Sequence, residues 1–483
     1  MSPKWSKRSV VLVCTCVSAT AMAAVTGFIP NLKHFFDPTG AVATYTTAGE
    51  IDRSGAFFQE LGTNGRTCES CHKADQAFSL SPVRVRELYE RTHGKDPLFA
   101  SIDGANCPEA EPGNREDHSL LLKRGLIRIP ITLPLNAQFT IAASHDPYGC
   151  AIRYDPQTNQ QIISVYRRPL PTANLRFLSA VMFDGRETIS PLTDAASFPA
   201  NLNADLTHQA ISATQGHAQG SVQPTPAQLA EIVSFEMGLS TAQIRSDGAG
   251  HLYSNDATGG PQVLSTQSYY PGSNDSLGHD PLGKPFDPIA FTLYTAWADS
   301  KDEDKRDIAA GEVVFNTAVA TITDVRGIND NPALNSPVTL AGTCTTCHDA
   351  RNVGNHSLPL PLDIATSRQA AMETNPNIVA GLQQLTPADM PVYEIRGCPD
   401  PLNPGQTLVF YSSDPGKGLV TGQCVDVGRG KGPILRGLAA RAPYFHNGSA
   451  ANLKQLVEFY NLRFQMNLRD DQKHDLIAFL NSL

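Results

Sequence analysis

Apolar residues recur at helical spacing in several separated segments. Leu229, Ile232 and Val233 form a stripe that reaches Glu236 at i+7. It follows the start signal Thr225-Pro226-Ala227-Gln228, with Thr225 as N-cap, Pro226 at the first helical position and Gln228 closing a capping box. Leu206, Gln209, Ala210 and Ala213 share one face of a second helix. Leu453, Leu456, Val457 and Tyr460 mark a third, and a last helix starts near Asp470 with acids in its first turn and carries Leu476, Ile477, Leu480 and Leu483. A charged helical segment spans about 299–310, 246–287 is rich in Gly, Ser, Asn, Asp and Pro, and 101–170 and 385–430 show no period and read as loops. The pattern predicts a mainly α chain whose helices are joined by long loops.

Two of these helices aim polar groups inward. Burying an unpaired carboxylate is costly, so Glu236 is either paired or titrates near neutral pH as a proton-transfer group. Gln209 points the same way. Tyr460 is either a core tyrosine or a metal ligand.

The first residues follow a different rule. Lys4, Lys7 and Arg8 precede an apolar run from Val10 to about Ala24, and Ala21-Met22-Ala23 fits a cleavage site, so 1–23 reads as an export signal and the mature chain as periplasmic. Apolar character continues through Val25, Phe28 and Ile29, which keeps open an uncleaved segment tethering the chain to the inner membrane. No later stretch approaches the ~18 apolar residues of a membrane span. At 483 residues the chain is long enough for two or three domains, and 41% hydrophobic with 18% charged residues excludes wholesale disorder. A net charge of −9 without a basic run excludes a nucleic-acid binder.

Chemistry enters with the cysteines. Cys68-Glu69-Ser70-Cys71-His72 and Cys344-Thr345-Thr346-Cys347-His348 repeat the pattern that attaches c-type haem, two thiols for thioether bonds and an adjacent histidine for the iron. A zinc site would want further Cys or His pairs, and a thiol redox pair a βαβ setting; neither is evident. The motifs predict two covalently bound haem c groups, one per cytochrome c-like domain, over 24–300 and 301–483. The remaining Cys107, Cys150, Cys398 and Cys424 suggest Cys107–Cys150 and Cys398–Cys424 bridges, with free buried thiols as the alternative.

Beyond these motifs the chain resembles the bacterial di-haem cytochrome c peroxidases and the related MauG-type enzymes. The resemblance is sharpest at Ala442-Pro443-Tyr444-Phe445-His446-Asn447-Gly448-Ser449, with Met182-Phe183-Asp184-Gly185-Arg186, Gln209-Ala210 and Glu236-Met237 matching further family segments in order. It implies an exported oxidoreductase in which the haem on His72 meets hydrogen peroxide, Glu236 is the acid/base and Gln209 positions the oxidant. The haem on His348 would exchange electrons with a small redox protein of the cytochrome c or cupredoxin type. Arg436 and His446 would organise that haem's propionates and the inter-domain contact, and a homodimer is common in the family. The second haem's far ligand separates the sub-types: the peroxidases place Met fourteen residues after the signature His, the MauG-type Tyr. Here that position is Tyr460, with Met466 as the alternative.

Three departures stand out. The family's inter-haem Trp falls on Phe183, and the only Trp of the mature chain is Trp297. Gln209 and Glu236 are 27 residues apart, more than the family's spacing. Two ligand positions of the family's calcium site fall at or near Arg168 and on Arg441, which argues against calcium and leaves backbone carbonyls as its only route. His93, His208, His217 and His356 carry no distinctive signal, and His356 reads as a solvated loop residue. Three functions compete: a peroxidase, a MauG-like or oxygenase enzyme oxidising a protein or organic substrate, and a plain electron carrier. Inward acid/base groups argue against the carrier.

Overall fold

The computed structural model describes residues 27–111, 113–386, 389–400 and 405–483. The export segment lies outside them. Among the described residues no helix is long and apolar enough to cross a membrane.

The expectation of a mainly α chain is overturned. The chain is 31% helical and 17% strand, with several small sheets. Much of the strand lies where the sequence reads as loop. Ile127–Thr132, Gln161–Arg167 and Ile152–Tyr154 form one antiparallel sheet. Val392–Pro399 pairs with Thr407–Ser412 on one side and with the distant Thr140–His145 on the other. A four-stranded antiparallel sheet joins Gly250–His251, Leu239–Ser246, Gly40–Thr46 and Phe35–Asp37. These strands are short, and their alternation spans too few residues to stand out from loop.

The helices fall close to their predicted positions. Pro226–Gly238 starts on the Thr225/Gln228 capping box, and Phe198–Gly216 packs against it. Asp302 caps Glu303–Thr317, which lies against the terminal helix Asp470–Asn481. Gly311 permits that approach, because a Cβ there would sit 1.9 Å from the Asp475 carbonyl oxygen. These two helices, Leu453–Arg463 and the buried Phe291, Tyr294 and Trp297 share the largest core. A second core joins Ile127, Ile129, Ile163 and Val165 to Tyr393, Ile395, Leu419 and Val427. Both suggested disulfides form, Cys107–Cys150 and Cys398–Cys424, next to this second core.

Where these parts meet, Arg167 is buried and donates to Asp184 at 2.5 Å and to Asp414 at 2.6 and 2.9 Å. Against the cost of burial, Asp414 and Asp184 raise its pKa. Substituting Arg167→Met would leave two buried carboxylates short of their cation. The expected loss is about 3–5 kcal/mol in denaturant unfolding, and further substitution of both acids by Asn should recover part of it. A loss below about 1 kcal/mol, the range of an exposed pair, would contradict this account.

Candidate functional site

Each Cys-x-x-Cys-His motif folds the same way. Cys68–Ser70 and Cys344–Thr346 are single 3-10 turns, closed by capping boxes from Thr67 to Ser70 and from Thr343 to Thr346. The turn brings the following histidine back over the first cysteine, whose carbonyl accepts the amide of His72, and likewise His348, at 3.1 Å. Each imidazole shares a proton through Nδ1 with a backbone carbonyl, His72 with Phe78 at 3.2 Å and His348 with Gly354 at 2.5 Å. With Nδ1 as donor, Nε2 is the free lone pair, the arrangement of a metal-ligating histidine. Burial pushes the His72 pKa down to about 4 and lowers that of His348, so both rings are neutral at pH 7.

All four motif cysteines are free thiols, whereas the other four described cysteines are paired. Burial raises Cys68, Cys344 and Cys347 to about 12 and Cys71 to about 11. Such thiols are not the low-pKa nucleophiles of a redox pair.

Each motif opens onto its own cavity. The first, about 1800 Å³ of empty space, is lined by Cys68, Cys71 and His72, and also by Gln209, Glu236, Arg436 and His446. The helices Phe198–Gly216 and Pro226–Gly238 therefore bring Gln209 and Glu236 to one space despite their separation in sequence. Glu236 is 4% exposed and its Oε2 has no hydrogen-bond partner. Burial raises its pKa to about 8. The second cavity, about 1940 Å³, is lined by Cys344, Cys347, His348, Tyr460, Met466 and His446. Both candidate far ligands thus face it. Burial, with Cys347 and Cys344 adding to it, raises the Tyr460 pKa. Arg436 lines the first cavity, not the second for which the resemblance placed it.

The two cavities share a wall. Phe183, His446, Arg168, Lys431 and Arg441 line both. The Phe183 and His446 rings stack with centroids 4.2 Å apart and planes 13° from parallel. The Arg167 guanidinium lies 5.0 Å from the centre of the Phe183 ring. Gly430 is required here, since a Cβ would come within 2.2 Å of the Phe183 ring. Trp297 lines neither cavity; it is buried against Tyr294 and donates to the Ser254 carbonyl at 2.9 Å.

The wall is strongly cationic. Arg168, Lys431, Arg436 and Arg441 have no carboxylate partner among the described residues, and Arg436 leaves Nε and Nη2 unpaired. Burial lowers all four pKa values, with Arg441 adding to the effect on Lys431, which falls to about 8. Cations without carboxylate partners at the cavity walls suit an occupant that brings its own anionic groups. With free thiols, a histidine Nε2 and apolar linings, these residues fit a covalently held haem whose propionates meet the cations.

Sequence reasoning missed several groups at or near these spaces. His217 lines the first cavity two helical turns from Gln209, with Nδ1 2.5 Å from Asp103, which is itself paired with Arg66. His356 is not solvated. It is 3% exposed, its Nδ1 accepts the Leu358 amide, and its Nε2 lies 3.3 Å from Asp349 and 3.7 Å from Asp275. Neither arrangement has a local motif; both depend on partners brought in from other segments. His93 is exposed at a helix end and His208 pairs with Glu187, and neither lines a cavity.

No family model matches the chain. Two curated relatives match parts of it. The cytochrome-c peroxidase IdrP2 of Denitromonas iodatirespirans is 29% identical over 151 residues, 29% of this chain and 36% of its own length. The cytochrome-c peroxidase IdrP1 of Pseudomonas sp. (strain SCT) is 31% identical over 109 residues, 20% of this chain and 29% of its own length. The chain thus spans about a third of the length of these relatives. Among solved structures, hydrazine synthase of Kuenenia stuttgartiensis aligns over 99% of this chain and all of its own at 11% identity and a TM-score of 0.32. A MauG-like protein associated with microbial copper homeostasis aligns over 69% of this chain and 79% of its own at 15% identity and a TM-score of 0.27. Scores this low carry no structural argument. The sequence matches connect the chain, at low identity, to proteins named cytochrome-c peroxidase.

The carboxyl of Glu236 makes a direct test of this geometry. Its pKa is near 8 in the fold against 4.5 as a free group, so between those values the folded chain holds a proton that the unfolded chain releases. Stability from this group is complete below pH 4.5 and lost as pH rises toward 8. Glu236→Gln should unfold at a higher temperature than the parent at about pH 8 and at the same temperature below about pH 5. Parallel pH profiles for the two proteins would contradict a buried, unpaired Glu236.

Proposed function

We propose that the chain is an exported di-haem c-type oxidoreductase that reacts with hydrogen peroxide in the first cavity and exchanges electrons through the second. The observation that carries this reading is Glu236. A buried carboxyl without a partner has no structural use, and it shares its cavity with the motif histidine His72 and with Gln209. The low-identity peroxidase relatives support the same class of chemistry. Covalent attachment of haem c belongs outside the cytoplasm, which supports a periplasmic location, reached through the N-terminal signal or held there by it.

Haem supplies the iron that exchanges electrons and takes up the oxidant in such enzymes. The chain's own residues would do the rest. His72 and His348 each offer Nε2 to the iron, and Phe78 and Gly354 fix the ring orientation through Nδ1. The four motif thiols hold the porphyrins covalently. Glu236 takes a proton from one peroxide oxygen and returns it to the other as the O–O bond breaks, a role suited to a carboxyl with a pKa near 8. Gln209 holds the oxidant by hydrogen bonding. The apolar lining excludes competing water, and the desolvated cations of the wall neutralise the propionates. A small redox protein would supply electrons to the second cavity.

Tyr460 favours a MauG-like variant of this function, oxidation of a protein or organic substrate with peroxide as the oxidant. A phenolate ligand stabilises oxidised iron, whereas methionine raises the potential.

Two experiments test this reading. The pyridine haemochrome of purified protein should give two haem c per chain, falling to one when Cys344 and Cys347 are both changed to Ala. Glu236→Gln should keep both haems and lose about 10²–10⁴-fold of peroxide-dependent turnover; unchanged turnover would remove Glu236 from the reaction. Near-infrared and EPR spectra of the diferric protein then separate the sub-types. A high-spin and a low-spin haem with no methionine–iron band, altered by Tyr460→Phe and not by Met466→Leu, would support the MauG-like variant. A methionine–iron band lost in Met466→Leu would make it a conventional peroxidase.

A further inference from the structure

The family that the chain resembles has a calcium site between its two haem-bearing parts, and the residues at that junction of this chain do not fit one. Arg168 follows directly on the Gln161–Arg167 strand, and its amide donates to the His446 carbonyl at 2.7 Å. Its guanidinium runs into a cluster of backbone oxygens. Nη1 donates to the Arg124 carbonyl at 2.7 Å, and Nη2 to those of Leu80 at 2.8 Å and Arg441 at 3.2 Å. Leu80 and Arg124 come from the part of the chain that carries the first motif, Arg441 and His446 from the part that carries the second. The side chain is 8% exposed and has no carboxylate partner among the described residues.

Backbone carbonyls converging from distant segments, with no carboxylate among them, are the surroundings of a cation that must be bound by neutral oxygens. Calcium takes six to eight oxygens, from carboxylates, carbonyls and water, at 2.3–2.6 Å. Here three of them are already engaged by N–H groups at hydrogen-bond distance, and the charge they surround is covalently part of the chain. Arg441 lies beside it, and its own guanidinium is directed to the carbonyls of Ile434, Arg436 and Gly437. A divalent ion entering this cluster would meet two guanidinium groups and displace one of them.

We infer that the Arg168 guanidinium is the resident cation of this junction and that the junction takes no calcium. The positive charge that would otherwise be supplied by an exchangeable ion is built into the sequence. It links carbonyls of both parts of the chain and cannot be removed by a chelator. This inference concerns only the junction; it does not depend on which reaction the cavities carry out.

The test uses the full-length protein as purified with its cofactors. After incubation with EDTA and desalting, elemental analysis should find calcium well below one atom per chain. The thermal midpoint and the ferric visible and EPR spectra should be the same with EDTA and with added calcium chloride. One calcium retained per chain, or a midpoint or spectrum that moves with EDTA and returns with calcium, would overturn the inference. Arg168→Asn removes the cation and leaves the carbonyls. In EDTA its midpoint should fall below the parent's, and added calcium should raise it again while leaving the parent unmoved. A variant as stable as the parent in EDTA would show that the junction needs no cation from Arg168. Should this variant fail to fold, the calcium content and chelator response of the parent still decide the question. None of these readouts uses peroxide turnover, so failure here leaves the reading of the cavities where it stood.

Discussion

Arg167 joins distant parts of the chain through two buried carboxylates. Asp184 approaches it from the segment before the cavity helices, and Asp414 from the end of a strand late in the sequence. Its guanidinium also lies 5.0 Å from the centre of Phe183, and Phe183 stacks on His446. That stack is the wall between the cavities. Three buried charges are expensive to desolvate, and they are tolerated because the guanidinium pairs with both acids, Arg186 adding to the hold on Asp184. The ring stack and the glycine against it adjoin this cluster.

What could be read from the sequence follows from how local each feature is. The cysteine motifs are complete within five residues, and the capping box at Thr225 within four, so both were legible without knowledge of the fold. Glu236 was legible because the period of one helix places it on the apolar side. The sheets were not, because Thr140–His145 and Val392–Pro399 find their partners across most of the chain. Arg167, Gly430 and His217 carry no signal at all in isolation; each acquires a role only from a neighbour contributed by another segment. His356 was misread for the same reason, since Asp275 reaches it from a loop far upstream.

The wall also has an electrostatic character that composition conceals. The chain is acidic overall, yet Arg168, Lys431, Arg436 and Arg441 collect around the cavities with no acid to balance them. The buried acids are engaged elsewhere, Asp184 and Asp414 on Arg167 and Asp103 on Arg66. Net charge therefore says nothing of the cationic lining that the fold gathers at the cavities.

The shared core of the Ile127–Thr132 and Val392–Pro399 sheets has a consequence for how the molecule comes to exist. Ile129, Ile163 and Val165 remain uncovered until Tyr393, Ile395, Leu419 and Val427 arrive, and those residues are made late. A chain emerging from its N-terminus would present the first Cys-x-x-Cys-His motif long before the surrounding core could close. The space beside Cys68 and Cys71 would thus stay open and unfinished, and final compaction of the early segments would wait for the last fifth of the polypeptide.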